Sequence, residues 1–318
     1  MQKKIYMKLG FPEIWNVSGC QSINSLYSKA ERTGIYLLEF PDGSYYVGQA
    51  RNIVRRFAEH RRNFGEISGF SFMQVAPDLL NKTERDCIGA LEHKCSLRNI
   101  LFVSSPVCNS NLDSVVSPDQ QIQWLSTFRQ QATSRVRTEN NELRRKYVAR
   151  FQRLEADEAF ARLSLPVMQK YVRYCILEPY RTEISFWGCS CLPKCNNPNV
   201  QIHSRINIYW QEVLYVGINI FLRTPVYGFY VTKSKLTQKD IARFQKECLT
   251  FELYDIAHQH GGVDQCHLCV YTLTDALWLL NDPAFLRASK TFNLSNMRKG
   301  TLVYSRCHCM DLADCLLS

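Results

Sequence analysis

Tyr36, Tyr46, Arg56 and His60 stand in a short stretch whose spacing lets them meet. Residues 34–40 and 44–48 are rich in aromatic and aliphatic side chains, and Pro41-Asp42-Gly43 between them is a tripeptide suited to reversing the chain. If Phe40 opposes Ser44 in that hairpin, Leu38 opposes Tyr46 and Tyr36 lies diagonal to Tyr46, so the two phenols share one face. After Gly48 the period changes. Asn52 is a suitable N-cap, and Ile53, Val54 and Phe57 trace an apolar stripe on a helix running to about Arg62. Arg56 and His60, four residues apart, lie along one border of that stripe, while Arg55, Glu59 and Arg62 point away. A guanidinium is a planar fork that fits two phosphate oxygens, and phenols and imidazoles are groups that position or move protons.

A strand is expected at Phe70–Val75 and a second helix from about Asp78 to Cys95. Leu80, Cys87, Ile88 and Leu91 follow helical spacing, and Glu84 falls among them. A carboxylate on an inward stripe requires a cation, a hydrogen-bond donor or a rim position. The bland reading is a salt bridge to an arginine such as Arg56. The alternative is a metal ligand.

Gly34-Ile35-Tyr36 and Tyr46-Val47-Gly48, followed by Arg56 and His60, resemble the GIY-YIG nuclease superfamily at the spacing of its homing and restriction members. Glu84 and Asn99 stand where that family carries its metal-binding glutamate and a later asparagine. The resemblance covers roughly residues 33–103. It implies an α+β fold with a small antiparallel three-stranded sheet flanked by helices, and a metal-dependent DNA endonuclease that hydrolyses phosphodiester bonds. Glu84 would hold one Mg²⁺ or Mn²⁺, Arg56 would stabilise the transition state, and Tyr36 would orient or deprotonate the attacking water. Tyr46 and His60 would hold phosphate or water or shuttle protons, and Asn99 would position Glu84 or the substrate. For both tyrosines the ordinary alternative is strand packing. The restriction, homing or phage-defence type is favoured. A structure-specific repair nuclease of the same family, or a catalytically inactive nucleic-acid-binding protein, stands as the alternative.

The 318 residues suffice for two domains. The composition, 46% hydrophobic and 21% charged, is that of a globular protein and excludes disorder at large. A net charge of +10 favours a polyanionic partner such as nucleic acid; the resemblance implies that this partner is DNA, with a duplex expected, and the oligomeric state is left open with a dimer among the candidates. No apolar run is long enough to span a bilayer and no secretory h-region follows Lys3, Lys4 and Lys8, so an intracellular protein without a membrane partner is expected. The expected organisation is an extension (1–32) that either packs or reaches along DNA, a nuclease unit (33–108), a linker and long helix (109–165), and a C-terminal α+β domain (166–318) for recognition or regulation. Asn109–Pro118 reads as linker. Trp124, Phe128, Ala132, Val136, Leu143, Tyr147, Phe151 and Leu154 trace the long helix, whose Arg144, Arg145, Lys146, Arg150 and Arg153 are either a face for phosphates or a solvated one. Strand-like runs lie within 200–229, and helical patterns at Thr237–Tyr254 and Thr272–Leu280.

The 14 cysteines of a long chain without a leader are expected to be reduced. Cys189, Cys191 and Cys195 cluster, as do His258, His260, Cys266 and Cys269, and then Cys307, His308 and Cys309. Cys266 and Cys269 with Cys307 and Cys309 form a candidate structural zinc site, against partly buried free thiols.

Overall fold

The computed structural model describes residues 3–92, 94–99, 103, 110–128, 135–193, 198–255, 258 and 260–318, with side chains from Ile5 onward. The chain is α+β and divides into two compact units, Met1–Cys108 and Asn109–Ser318, each built on its own antiparallel sheet.

The first unit runs α1 (Lys3–Met7), β1 (Trp15–Asn16), β2 (Gly34–Glu39), β3 (Tyr45–Ala50), α2 (Ile53–Phe64), β4 (Gly69–Gln74) and α3 (Leu80–Glu92). Its sheet has the order β1-β4-β2-β3. The hairpin register is the one the turn dictates, with Leu38 opposite Tyr46 and Tyr36 opposite Gly48. Four strands replace the expected three, because Trp15 and Asn16 pair with Phe70 and Gly69. The extension is packed: Tyr6, Phe11, Val17 and Ile23 are buried, and an apolar set of that size gains more against the sheet than in water. The two-residue period divides β2 between two cores. Ile35 and Leu37 pack with Leu80, Ile88 and Leu91 of α3, whereas Tyr36 and Leu38 pack with Ile53 and Phe57 of α2.

β3 is an edge strand, yet its outer polar groups are occupied. Tyr45 donates its N–H to the Ser96 carbonyl (2.8 Å) and accepts from Arg98 N–H (2.8 Å). Val47 donates to Asn99 Oδ1 (2.9 Å) and accepts from Asn99 Nδ2 (2.7 Å). The Gln49 backbone and side chain both reach the Glu84 carboxylate.

The second unit opens with α4 (Pro118–Ser126) and α5 (Asn141–Glu155). These two helices correct the single long one. Lys290 Nζ takes the Trp124 and Thr127 carbonyls at the end of α4 (3.2 and 2.6 Å), and Asn140 starts α5 afresh by accepting from Leu143 N–H (3.0 Å). Ala132 and the linker's first residue, Asn109, lie outside the described residues. Leu112, Val116, Trp124, Leu143, Tyr147 and Phe151 belong to the same core as Val167 and Tyr171, so the described part of 109–165 is built into this unit. Arg144 is held by Glu139, Asp311 and Asp314.

There follow α6 (Leu165–Cys175), α7 (Pro179–Thr182), β5 (Trp187–Ser190), β6 (Val200–Ile208), β7 (Gln211–Asn219), β8 (Pro225–Thr232), α8 (Gln238–Glu247), β9 (Glu252–Tyr254), β10 (Gln265–Val270), α9 (Leu273–Leu279), α10 (Pro283–Lys299) and α11 (Met310–Leu317). The sheet has the order β5-β6-β7-β8-β10-β9. Residues 252–254, expected in a helix, form a strand instead because they pair with Cys269, Leu268 and His267. A buried network ties this unit: the Glu183 carboxylate accepts from Arg137 Nε (2.7 Å) and Nη2 (2.8 Å) and lies 2.9 Å from His308 Nε2. Among the described residues no helix is long and apolar enough to cross a membrane.

Candidate active site

The α2 face of the first sheet gathers four of the six sequence-selected residues. Tyr36 projects from β2 and Tyr46 from β3, their rings 6.2 Å apart and nearly parallel. The Tyr36 hydroxyl is 2.6 Å from His60 Nε2 and accepts from Arg56 Nε at 3.3 Å. Arg56 Nη1 donates to Glu59 (3.0 Å). His60 is more deeply placed than the border position its spacing suggests, only 4% exposed. Rings explain this: it lies between Tyr46 (5.0 Å) and Phe64 (5.1 Å, stacked).

Two glycines make this packing feasible. A Cβ on Gly48 would sit 2.3 Å from the Tyr36 hydroxyl oxygen, so the phenol lies across the strand where that side chain would be. A Cβ on Gly34 would sit 2.0 Å from the Met73 carbonyl oxygen, which the neighbouring strand brings there.

Burial dominates the electrostatics. Tyr36 is fully enclosed, and desolvation, reinforced by Tyr46, pushes its hydroxyl far above the usual range against the pull of Arg56. Tyr46 is raised by the same desolvation. His60 is pushed down to about 4, by burial first and by the Arg56 charge second. The phenols are therefore neutral at pH 7, and so is the imidazole.

Glu84 rises from α3, on the opposite face of the sheet, and meets the edge of β3 at Gln49. Its carboxylate accepts from Gln49 Nε2 at 2.9 Å, so the expected alternative of a salt bridge to Arg56 gives way to a bond with a neutral amide. Burial raises the carboxyl, opposed by the Gln49 bonds and by Arg56. The Glu84 charge also acts on Tyr36 and Tyr46, so it shares their electrostatic neighbourhood without a direct bond to either.

Asn99 is not part of this group. Both ends of its amide are committed to the Val47 backbone, where it stands in for a missing neighbouring strand, and this corrects a role toward Glu84 or substrate. Three residues that spacing did not select take part: Gln49, Glu59 and Phe64. Only Glu59 carried a signal, its three-residue distance from Arg56.

The zinc set does not assemble. Cys266 and Cys269 lie in β10, where residues three apart point to opposite faces; Cys266 joins the helix-side core and Cys269 meets Tyr215 and His267 on the other side. Among the described residues no group of three His, Cys, Asp or Glu side chains is arranged for a metal ion. Cys195 lies outside the described residues.

Comparison with protein-family models, with curated proteins and with solved structures finds no match to this chain. The functional reading thus rests on the residues themselves.

Proposed function

We propose that residues 33–103 form a divalent-metal-dependent DNA endonuclease centre of GIY-YIG type that hydrolyses phosphodiester bonds. The observation that carries this reading is the Tyr36 hydroxyl bonded at once to a guanidinium and to an imidazole held neutral. A phenol whose ionisation burial opposes is a poor resident base, but it relays a proton well. As water attacks phosphorus and the bond to the leaving sugar oxygen breaks, the water's proton passes to the Tyr36 oxygen while the Tyr36 hydrogen passes to His60 Nε2, in the tautomer carrying hydrogen on Nδ1, and the leaving alkoxide takes a proton from solvent. Arg56, with 44% of its side chain exposed, covers the enclosed hydroxyl. Exchanging its Glu59 contact for two phosphate oxygens would open that hydroxyl to the substrate and place the fork where negative charge grows.

The donor chemistry suits a hard cation: Glu84 is a carboxylate lifted by burial, with a neutral amide as its hydrogen-bond partner. Mg²⁺ or Mn²⁺ held there, with water in its other positions, would neutralise phosphate charge. The net charge of +10 suits a DNA partner.

A second reading, a nucleic-acid-binding module without catalysis, is favoured by one feature, the complete enclosure of Tyr36. Incubation of supercoiled plasmid with the protein and Mg²⁺ or Mn²⁺ separates the two. Catalysis predicts nicked or linear product, its loss with EDTA, and a fall of roughly 10²–10³ in rate for both Arg56→Ala and Glu84→Gln. DNA retention without cutting under either metal would reject the nuclease reading.

A further inference from the structure

The six-stranded sheet turns Ile206, Leu214, Phe229 and Leu268 toward its helices. Alternation puts Arg205, Tyr230 and His267 on the other face, and the register shift between Ile206 and Asn207 brings Glu212, opposite Asn207, to that face as well. Over the β6–β7 end of that face lies a cavity of about 680 Å³. Arg205 and Glu212 are both part of its lining and form an ion pair of 3.0 Å, with side chains 18% and 26% exposed. Arg205 also donates to the Leu192 carbonyl (3.1 Å), which fixes the guanidinium. Along another side Trp210 stacks on His260 (5.2 Å, interplanar angle 17°), and Tyr304 meets Trp210 edge-on at 5.8 Å.

Trp210 is held in place by the backbone. Ile208 pairs with Gln211, so Tyr209 and Trp210 form a two-residue turn, and Tyr209 adopts φ +55°, a region that bulky residues rarely enter. The indole it presents is 42% exposed. Behind it, His260 Nδ1 is buried with no hydrogen-bond partner among the described residues.

From this geometry we infer that the cavity receives a purine base, guanine in preference, with its ring stacked on Trp210, Glu212 accepting from N1–H and the 2-amino group, and Arg205 donating to O6 and N7. An aromatic platform selects a flat π-face. A carboxylate beside a guanidinium, their charges cancelling, matches a neutral edge with donors beside an acceptor, and guanine alone among the common bases presents two adjacent donors next to a carbonyl. A pyrimidine covers less of the indole. The ligand is either a free purine nucleotide or a base unpaired from a nucleic-acid strand, and the assignment is independent of the nuclease proposal.

Isothermal titration calorimetry on the full chain tests it with GMP, AMP, CMP and ribose 5-phosphate, and with a duplex carrying one guanine opposite an abasic site beside its fully paired counterpart. GMP or the unpaired guanine should bind at least tenfold tighter than CMP, with no heat from ribose 5-phosphate. The tighter of the two assigns the source. Trp210→Ala and Glu212→Gln should each weaken binding at least tenfold, with Glu212→Gln affecting GMP more than AMP. Absence of binding by every base, equal binding of ribose 5-phosphate, or unchanged affinity in Trp210→Ala would overturn the inference. Trp210→Ala decides the matter even if Glu212→Gln unfolds, because the indole is partly exposed.

Discussion

His60 supplies a prediction whose sign and size follow from its surroundings. Its imidazole is pushed from the ordinary 6.5 down to about 4 by burial among Tyr36, Tyr46 and Phe64 and by the Arg56 charge. Between those two values the unfolded chain binds the proton and the folded chain does not. The stability His60 contributes is thus complete above pH 6.5 and is lost as pH falls toward 4, in all about 3 kcal/mol. His60→Gln abolishes this dependence while costing the stacking and the Tyr36 bond at every pH. The stability gap between the two proteins should therefore narrow by about 2 kcal/mol between pH 7.5 and pH 5. The readout must follow the first unit, because Trp15 is its one tryptophan and fluorescence would report Trp124, Trp187, Trp210 and Trp278 of the second. Pulse proteolysis in urea, reading cleavage within residues 1–108, meets that need, and histidine Cε1–H resonances give the titration directly. A His60 midpoint near 6.5, or parallel stability curves for the two proteins, would refute the argument that the ring is neutral and desolvated.

Gly48→Ala should cost about 1–3 kcal/mol, since its methyl would meet a phenol with no space to withdraw, and should displace the His60 resonances; an unchanged urea midpoint contradicts this. Asn99→Ala leaves the Val47 N–H and carbonyl buried without their partner, at a cost of about 1–3 kcal/mol, and should leave Mg²⁺ affinity in a calorimetric titration unaltered. Glu183→Gln should destabilise the second unit by about 1–3 kcal/mol by weakening the bonds to His308 and to Arg137, which keeps Asp314, read by tryptophan fluorescence against urea.

The α+β class and the hairpin were legible because turn chemistry and two-residue alternation act locally: Pro41-Asp42-Gly43 sets the register that brings Tyr36 beside Tyr46. Glu84 was legible as an anomaly on an apolar stripe. What it touches was not, because Gln49 reaches it only through the pairing of α3 with the edge of β3. Asn99 misled for a related reason: its position in the chain fits a site, but its amide completes a strand pairing that appears only in three dimensions. Cys266 and Cys269 read as a chelating pair on the assumption of a turn. Pairing with β8 and β9 extends the segment and sends the two thiols apart. Helix periodicity between Trp124 and Leu154 ran across a true interruption, since apolar positions on two separate helices can keep a common phase.

The sealed margin of β3 has a consequence for solubility. An unprotected strand edge is a template for another chain, and aggregation propagates by that route. Here the guard is a carboxamide at Val47 and a carboxylate at Gln49, groups a second molecule could displace only by leaving Asn99 and Glu84 stranded in a low-dielectric setting. Variants that shorten either side chain should therefore form fibrils or precipitate from solutions in which the parent stays clear.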